Sequence, residues 1–243
     1  MNQQNKKGIV IAIDGHSSCG KSTLARKLAQ SLSFLYVDTG AMYRAVTLFA
    51  IENDLIDENF LNTDDLILSL NKINVSFKKT ANNRIETLLN GVNVEDKIRS
   101  LEVSNLVSKL STILQVRSYL VDLQRKMAEQ ISVVMDGRDI GTVVFPNADL
   151  KIFLTASAQI RAERRFKELN DNGENVSFDE VFENVVTRDK IDSNRAESPL
   201  RQANDAILID NTNMNQDETL QVAMKLICEV LDRKNLKNNA CRD

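Results

Sequence analysis

An α/β fold, with a parallel sheet covered by helices on both faces, is predicted by three observations in this sequence. Residues 9–14 form an apolar, mostly β-branched run. A helical pattern follows at once, with Leu24, Leu28 and Leu32 on one face and Ala25 and Ala29 beside them. The turn between them reads Gly15-His16-Ser17-Ser18-Cys19-Gly20-Lys21-Ser22, which fits G-x-x-x-x-G-K-[ST]. Strand-like and helix-like segments then alternate down the chain, so ligands belong at the carboxyl ends of the strands.

Each element has its own signal. Leu35, Tyr36, Val37 and Asp38 read as a short second strand, Thr39-Gly40 as a turn, and 41–51 as a helix carrying Tyr43 and Arg44. Residues 53–65 are polar and read as irregular. Ile73, Val75 and Phe77 alternate as in a strand over 73–78, and 84–90 and 92–94 flank Asn90-Gly91, a hairpin turn signal. A small β element therefore interrupts the α/β alternation. Residues 101–130 read as two helices broken near 111–113. The apolar run 131–135 reads as a buried parallel strand ending in Asp136-Gly137-Arg138-Asp139. Residues 150–154 are another strand, and Ser157 caps a helix bearing Arg161, Arg164 and Arg165. After a polar loop at 170–176, Ser177-x-x-Glu180 is a capping box opening a helix with Arg188. Residues 189–204 are irregular and charged, 206–210 the last strand and 217–233 the last helix. Residues 1–7 and 234–243 are polar and expected to be disordered.

The 243 residues suffice for one sizeable core, and 42% hydrophobic with 27% charged residues is an ordinary globular balance. A net charge of −3 argues against a nucleic-acid polymer or a membrane as the main partner. Apolar runs fall far short of a bilayer span, and no signal pattern opens the chain. Cys19, Cys228 and Cys241 show no metal spacing, and their odd number suggests reduced thiols and a cytoplasmic home. His16 is the only histidine. That excludes a histidine-based metal cage or relay, and His16 is expected to act through its backbone N–H alone.

In the loop, Gly15 and Gly20 let the backbone curl with its N–H groups inward, and the following helix adds its positive end, which suits a polyphosphate. Lys21 is read as an exposed loop residue reaching the β- and γ-phosphates, and the Ser22 hydroxyl as a ligand for Mg2+. Asp136, ending a buried strand, suits the same Mg2+ shell. The Asp136 to Asp139 turn also resembles the D-x-x-G of switch proteins. Arg44, Arg117, Arg138, Arg188 and Arg195 offer the positive charge that phosphoryl transfer needs, although any one arginine also fits a solvated helix face. Arg161, Arg164 and Arg165 fit either a mobile lid or an exposed basic helix.

The chain resembles bacterial cytidylate kinases, phosphate-loop kinases that phosphorylate CMP and dCMP from ATP. The resemblance rests on IAIDGHSSCGKSTLA, VDTGAMYRA, NGVNVEDKIRSLEVS, QVR, MDGRDIGTVVFPNADLKIFL, RAERR and RDKIDSNRAESPL, in the family's order. His16 and Cys19 depart from the commoner loop. The resemblance implies a P-loop NTPase-type sheet with an inserted monophosphate-binding subdomain and a short lid. It implies a kinase domain at 8–233: core 8–38, 112–155 and 175–233, insert 39–111, lid 156–174, and a tail at 234–243. It assigns Gly15, His16, Ser17, Ser18, Cys19, Gly20, Lys21, Ser22 and Thr23 to ATP. Thr39, Arg44, Ser108, Arg117, Arg138, Asp139, Arg188, Asp192 and Arg195 go to the acceptor nucleotide. Lys21, Arg138, Arg161, Arg165 and Arg188 are the expected catalytic set, with ATP and Mg2+ as cofactors. Asp139 with Ser108 is expected to read the cytosine amino group, Arg117 the ring acceptors, and Asp192 the ribose hydroxyls. A monomer acting on small nucleotides is expected. Another phosphate-loop kinase for nucleoside monophosphates or small metabolites is the alternative. A GTP-binding switch is a further one, but the nearest string to its N-K-x-D signal, Asn71-Lys72-Ile73-Asn74, lacks the Asp.

Overall fold

The computed structural model describes residues 8–80, 85–129, 131–233 and 241. The expected disordered ends at 1–7 and 234–243 lie outside the described residues apart from residue 241. Along the chain run β1 (Val10–Gly15), α1 (Lys21–Leu32), β2 (Leu35–Asp38), α2 (Thr39–Glu52), α3 (Thr63–Ser69), β3 (Val75–Lys79), β4 (Ile85–Leu89) and β5 (Val92–Asn93). They are followed by α4 (Leu101–Leu110), α5 (Leu114–Met127), β6 (Val133–Gly137), β7 (Leu150–Thr155), α6 (Ala158–Asp171), α7 (Phe178–Asn194), β8 (Ile207–Asp210) and α8 (Gln216–Arg233).

β1 and β6 are buried along their whole length, which is why their sequences are apolar rather than alternating. They lie at the middle of a parallel sheet ordered β2-β6-β1-β7-β8. One face packs Val37, Met42, Leu110, Leu120, Met135 and Ile140 against α2, α4 and α5. The other packs Ile11, Leu28, Ile152 and Ile227 against α1 and α8. Register then decides what meets at the carboxyl edge. Asp38 pairs with Asp136, Asp14 with Gly137 and Gly15 with Leu154. β3, β4 and β5 form a separate antiparallel sheet around the Asn90-Gly91 turn.

Local competition explains the differences from the sequence reading. The strand expected at 73–78 begins at Val75, because Ile73 N–H is committed to Leu70 O at 3.1 Å. The strand expected at 131–135 begins at Val133, since Ile131 is 47% exposed and the Ser132 hydroxyl accepts from Ile9 N. The segment 53–65, expected to be irregular, already contains the start of α3, where Asn62 accepts from Asp65 N. The reduced-thiol expectation is corrected: Cys228 and Cys241 form a disulfide with Cα atoms 5.5 Å apart, because Cys241 returns onto the apolar cluster that α8 covers. Cys19 is free and buried. No helix of the described residues is long and apolar enough to cross a membrane.

Gly137 shows how tightly the carboxyl edge is closed. A Cβ there would lie 2.6 Å from Thr39 Oγ1 and 2.7 Å from Ile140 Cδ1. Gly137→Ala is therefore expected to destabilise the fold by roughly 1–3 kcal/mol through overpacking. Urea denaturation checks it; an unchanged midpoint would mean that the edge is slack.

Candidate active site

The phosphate loop joins β1 to α1 by a backbone that only glycine follows easily. Gly15 and Gly20 have φ of 150° and 93°, and a Cβ on Gly15 would sit 1.9 Å from Leu154 O. Lys21 opens α1 and is 5% exposed, not the exposed loop residue expected. Its ammonium donates to His16 O at 2.5 Å, folding back over the loop as the loop's internal counter-charge. Burial, and then Arg138, push Lys21 below its ordinary pKa.

Behind the loop, Ser22 Oγ donates to Asp136 Oδ2 at 2.8 Å and Tyr36 donates to Asp136 Oδ1 at 3.0 Å. Burial, reinforced by the Asp38 charge, raises the Asp136 carboxyl to about 6. Among the described residues no cluster of three His, Cys, Asp or Glu could hold a metal. Ser22 and Asp136 instead offer converging oxygens, a donor set that suits a hard cation shared with phosphate oxygens.

Four side chains brace the loop, three of them from outside it. Arg161 is 4% exposed and donates to Ala156 O, Ser17 O and both oxygens of Asp189. For Arg161 the exposed-basic-helix alternative is corrected accordingly: its guanidinium is buried and holds the loop to α7. His16 is also more than backbone, with Nδ1 3.3 Å from Asp189 Oδ1 and its ring edge-on to Phe153. Arg164 donates to Asn211 Oδ1 at 3.1 Å, and Asn211 Nδ2 donates to Cys19 O at 3.0 Å. Thr23 follows Ser22 within α1.

Beside the loop lies a cleft lined by Thr39, Ser108, Arg117, Arg138, Asp139, Arg188, Asp192 and Arg195, with Tyr43 and Gly40. α2, α4, α5, β6 and α7 each carry part of it, so residues scattered over more than 150 positions converge. Asp139 is ion-paired with Arg117, and Arg195 lies 3.8 Å from its other oxygen. The Asp139 side chain makes no capping bond to the turn that follows it, which bonds only its backbone carbonyl, through Val143 N and Val144 N. Arg138 Nε donates to Asp192 at 2.8 Å; burial alone would lower the Arg138 pKa, but Asp192 more than offsets it. Thr39 Oγ1 donates to Asp136 O at 2.7 Å.

Arg44 does not line the cleft. It pairs with Asp38 at 3.2 Å, an anion shared with Arg99 at 2.9 Å. Asp38 is buried, which would raise its pKa, yet the two guanidinium groups hold it well below the carboxylate range. Arg99 was not singled out from sequence, although it lies within the NGVNVEDKIRSLEVS stretch. Its carbonyl also accepts from Arg165 Nη2 at 2.8 Å, tying α6 to the segment before α4. Arg188 donates to Ser104 Oγ at 2.8 Å and makes no ion pair among the described residues. Burial, then Arg138, lower the Arg188 pKa to about 9, and burial, then Arg99, lower Arg44 to about 10. Arg44, Arg165 and Arg188 each keep a buried Nε without a hydrogen-bond partner. Such a cluster of cations with unused donors is an anion site.

The cytidylate kinase family profile matches residues 11–229. A cytidylate kinase from Flavobacterium johnsoniae is 54% identical over 226 residues, 93% of this chain and 98% of that protein. One from Flavobacterium psychrophilum is 51% identical, covering 91% and 98%. One from Bacteroides fragilis is 52% identical, covering 86% and 91%.

Two outcomes follow from the charges. Arg188→Met removes a half-buried cation that makes no ion pair among the described residues, so the unliganded protein is expected to gain about 1–2 kcal/mol, or roughly 2–8 °C in Tm, while losing its stabilisation by inorganic phosphate. A lower Tm in calorimetry would make Arg188 a structural cation. Asp38 carries the opposite sign. Its folded pKa lies below the ordinary 3.8, so its contribution is present above about pH 4 and lost as pH falls. Asp38→Asn should flatten the acid side of the stability profile by up to about 1.4 kcal/mol per pH unit. Denaturation curves between pH 5 and pH 2 are the measurement, and parallel profiles would refute it.

Proposed function

The chain belongs to the cytidylate kinase family, and on that premise we propose that it transfers the γ-phosphoryl group of ATP to CMP or dCMP, giving ADP and CDP or dCDP. The observation that carries this reading is the cleft beside the phosphate loop, where the Asp139–Arg117 pair faces the same space as the unpaired arginine Arg188. A nucleoside monophosphate needs both: an edge reader for its base and an anion site for its phosphate.

The roles divide by chemistry. Gly15 to Thr23 hold the ATP phosphates through backbone N–H groups and the start of α1. Lys21 turns from His16 O to the transferring phosphoryl. Ser22 and Asp136 hold Mg2+, which when bound neutralises charge on the donor phosphates. Arg188 and Arg138 grip the acceptor phosphate in the cleft, Arg44 adds charge from beside it, and the depressed charges of Arg188 and Arg44 are relieved as the phosphate arrives. Arg165 completes the positive wall from α6, while Arg161 keeps the loop in shape. Asp139 and Ser108 accept from and face the cytosine amino group, Arg117 donates to its ring acceptors, and Asp192 takes ribose hydroxyls. No covalent intermediate is required, because alignment and charge stabilisation supply the catalysis. In this reading residues 39–111 carry the acceptor side and 156–174 act as the lid, in a monomeric, cytoplasmic enzyme that uses no nucleic-acid polymer or membrane. Membership of the family removes the switch-protein reading of the Asp136 to Asp139 turn.

The test is ADP release with ATP and Mg2+ against a panel of nucleoside monophosphates. CMP and dCMP should lead, and preference for any other base would overturn the proposal. Asp139→Asn sharpens it. Uracil carries an oxygen where cytosine carries the amino group, so loss of the carboxylate should lower the CMP-over-UMP ratio of kcat/KM by about thirty-fold, the equivalent of roughly 2 kcal/mol. If the ratio holds while stability drops, Asp139 serves the fold and the base is read elsewhere.

A further inference from the structure

Asp14 is a buried carboxylate to which the chemistry above gives no task. It closes β1 directly before the phosphate loop and is 5% exposed. It makes no ion pair among the described residues. Lys151, whose stem passes close by, turns its ammonium to Pro146 O and Asp205. Burial raises the Asp14 carboxyl to about 6, so an ionised group here is held at a cost that only specific partners offset.

Those partners belong to the acceptor side. Asp14 Oδ1 accepts from Ile140 N at 2.8 Å and Oδ2 from Gly141 N at 2.7 Å. The two amides open the single turn of π-helix Ile140–Val144, and the residue at its N-cap is Asp139. An Asp at an N-cap ordinarily folds its carboxylate onto the second or third amide of its own turn. Asp139 does not do so, and its carboxylate faces Arg117 and Arg195 instead. The absence of a side chain on Gly141 makes room for the substitute: a Cβ there would lie 3.3 Å from Asp14 Oδ2 and 3.0 Å from the Lys151 stem.

We propose that Asp14 is a specificity-determining positioning residue: by capping the Ile140–Val144 turn from another strand, it keeps the Asp139 carboxylate out of its own turn and in the cleft. The proposal rests on the reading of Asp139 as the residue that meets the cytosine amino group. Asp14 does not touch the acceptor. It acts by occupying Gly141 N, the second amide of the turn and one of the two that an N-cap Asp139 would otherwise bond, while its bond to Ile140 N holds it there. It also connects the two halves of the reaction, since the residue after it is the first glycine of the phosphate loop.

The experiment is the CMP-over-UMP ratio of kcat/KM, with ATP and Mg2+, in the wild type, Asp14→Asn, Asp139→Asn and the double variant. The Asn side chain keeps the volume of Asp14 but offers one acceptor for two amides and sets its NH2 against the other, which loosens the hold on Gly141 N and lets Asp139 bond it. Asp14→Asn is expected to lower the ratio about tenfold. The double variant should match Asp139→Asn alone, because both changes act through one carboxylate. A structural brace would lower both kcat/KM values together and leave the ratio unchanged. That outcome, with Asp139→Asn still lowering the ratio, overturns this proposal and leaves the base assignment standing. A ratio unmoved by Asp139→Asn overturns the base assignment itself, and this proposal with it. Should Asp14→Asn fail to fold, Gly141→Ala crowds the same carboxylate from the other side. A fall in the ratio there supports the proposal, and an unchanged ratio overturns it.

Discussion

Desolvated charge at the carboxyl edge of the sheet is the constraint on which the rest of this structure depends. β-pairing sets Asp14, Asp38 and Asp136 on three adjacent strands and out of water, Asp38 opposite Asp136 and Asp14 one residue further along. No two are treated alike. Asp38 receives two guanidinium groups, Asp136 two hydroxyls, and Asp14 two backbone amides. The pKa directions record the difference: full cations hold Asp38 down, whereas neutral donors leave burial in control of Asp14 and Asp136. The group that must hold its charge whatever binds is paired with cations. The group facing the phosphate loop is kept by neutral hydroxyls that a cation can displace.

The positive side is built on the reverse logic. Arg99 and Arg117 have carboxylates, but Arg188 has a single serine hydroxyl and sits close to other arginines. An empty site of this kind is less stable than a neutral one and gains when an anion enters. The cost is carried by packing elsewhere, chiefly the two apolar layers on either face of the sheet. The bracing around Arg161 serves the same end. By bonding Ser17 O and Asp189 together, it fixes carbonyls outward, so that loop N–H groups are left to face phosphate.

Much of this was legible in the sequence because it is local. The glycine-flanked loop, the break at 111–113, the Asn90-Gly91 turn and the Ser177 capping box are each determined by neighbours within a few residues, and each lies where the pattern puts it. The parts that were not legible depend on long-range pairing. Arg99 meets Asp38 across 61 positions, Asn211 meets Cys19 across 192, and Asp189 reaches both Arg161 and His16. A charge count carries no such information. The burial of Lys21 is a similar case: a lysine at a helix start reads as exposed until the loop wraps back to supply the carbonyl that accepts from it. One signal was available and passed over. Asp38 ends a buried strand, so it needed a cation, and Arg44 together with the nearby basic stretch supplied candidates.

The acceptor cleft adds a last step to this argument. Asp139 and Arg117 are paired with each other by the chain itself. Their pairing holds two opposed charges in a buried site without a full desolvation penalty on either, and it fixes both side chains before a base arrives. A carboxylate and a guanidinium presented together form an edge with an acceptor next to donors, which is complementary to a base edge carrying an amino group beside ring acceptors. Replacing the amino group by oxygen sets two acceptors against each other with no water to separate them. On the proposed reading of Asp139, selectivity comes from the mismatch as much as from the match, and it lasts only while the Asp139 carboxylate is kept from the turn that its own backbone begins.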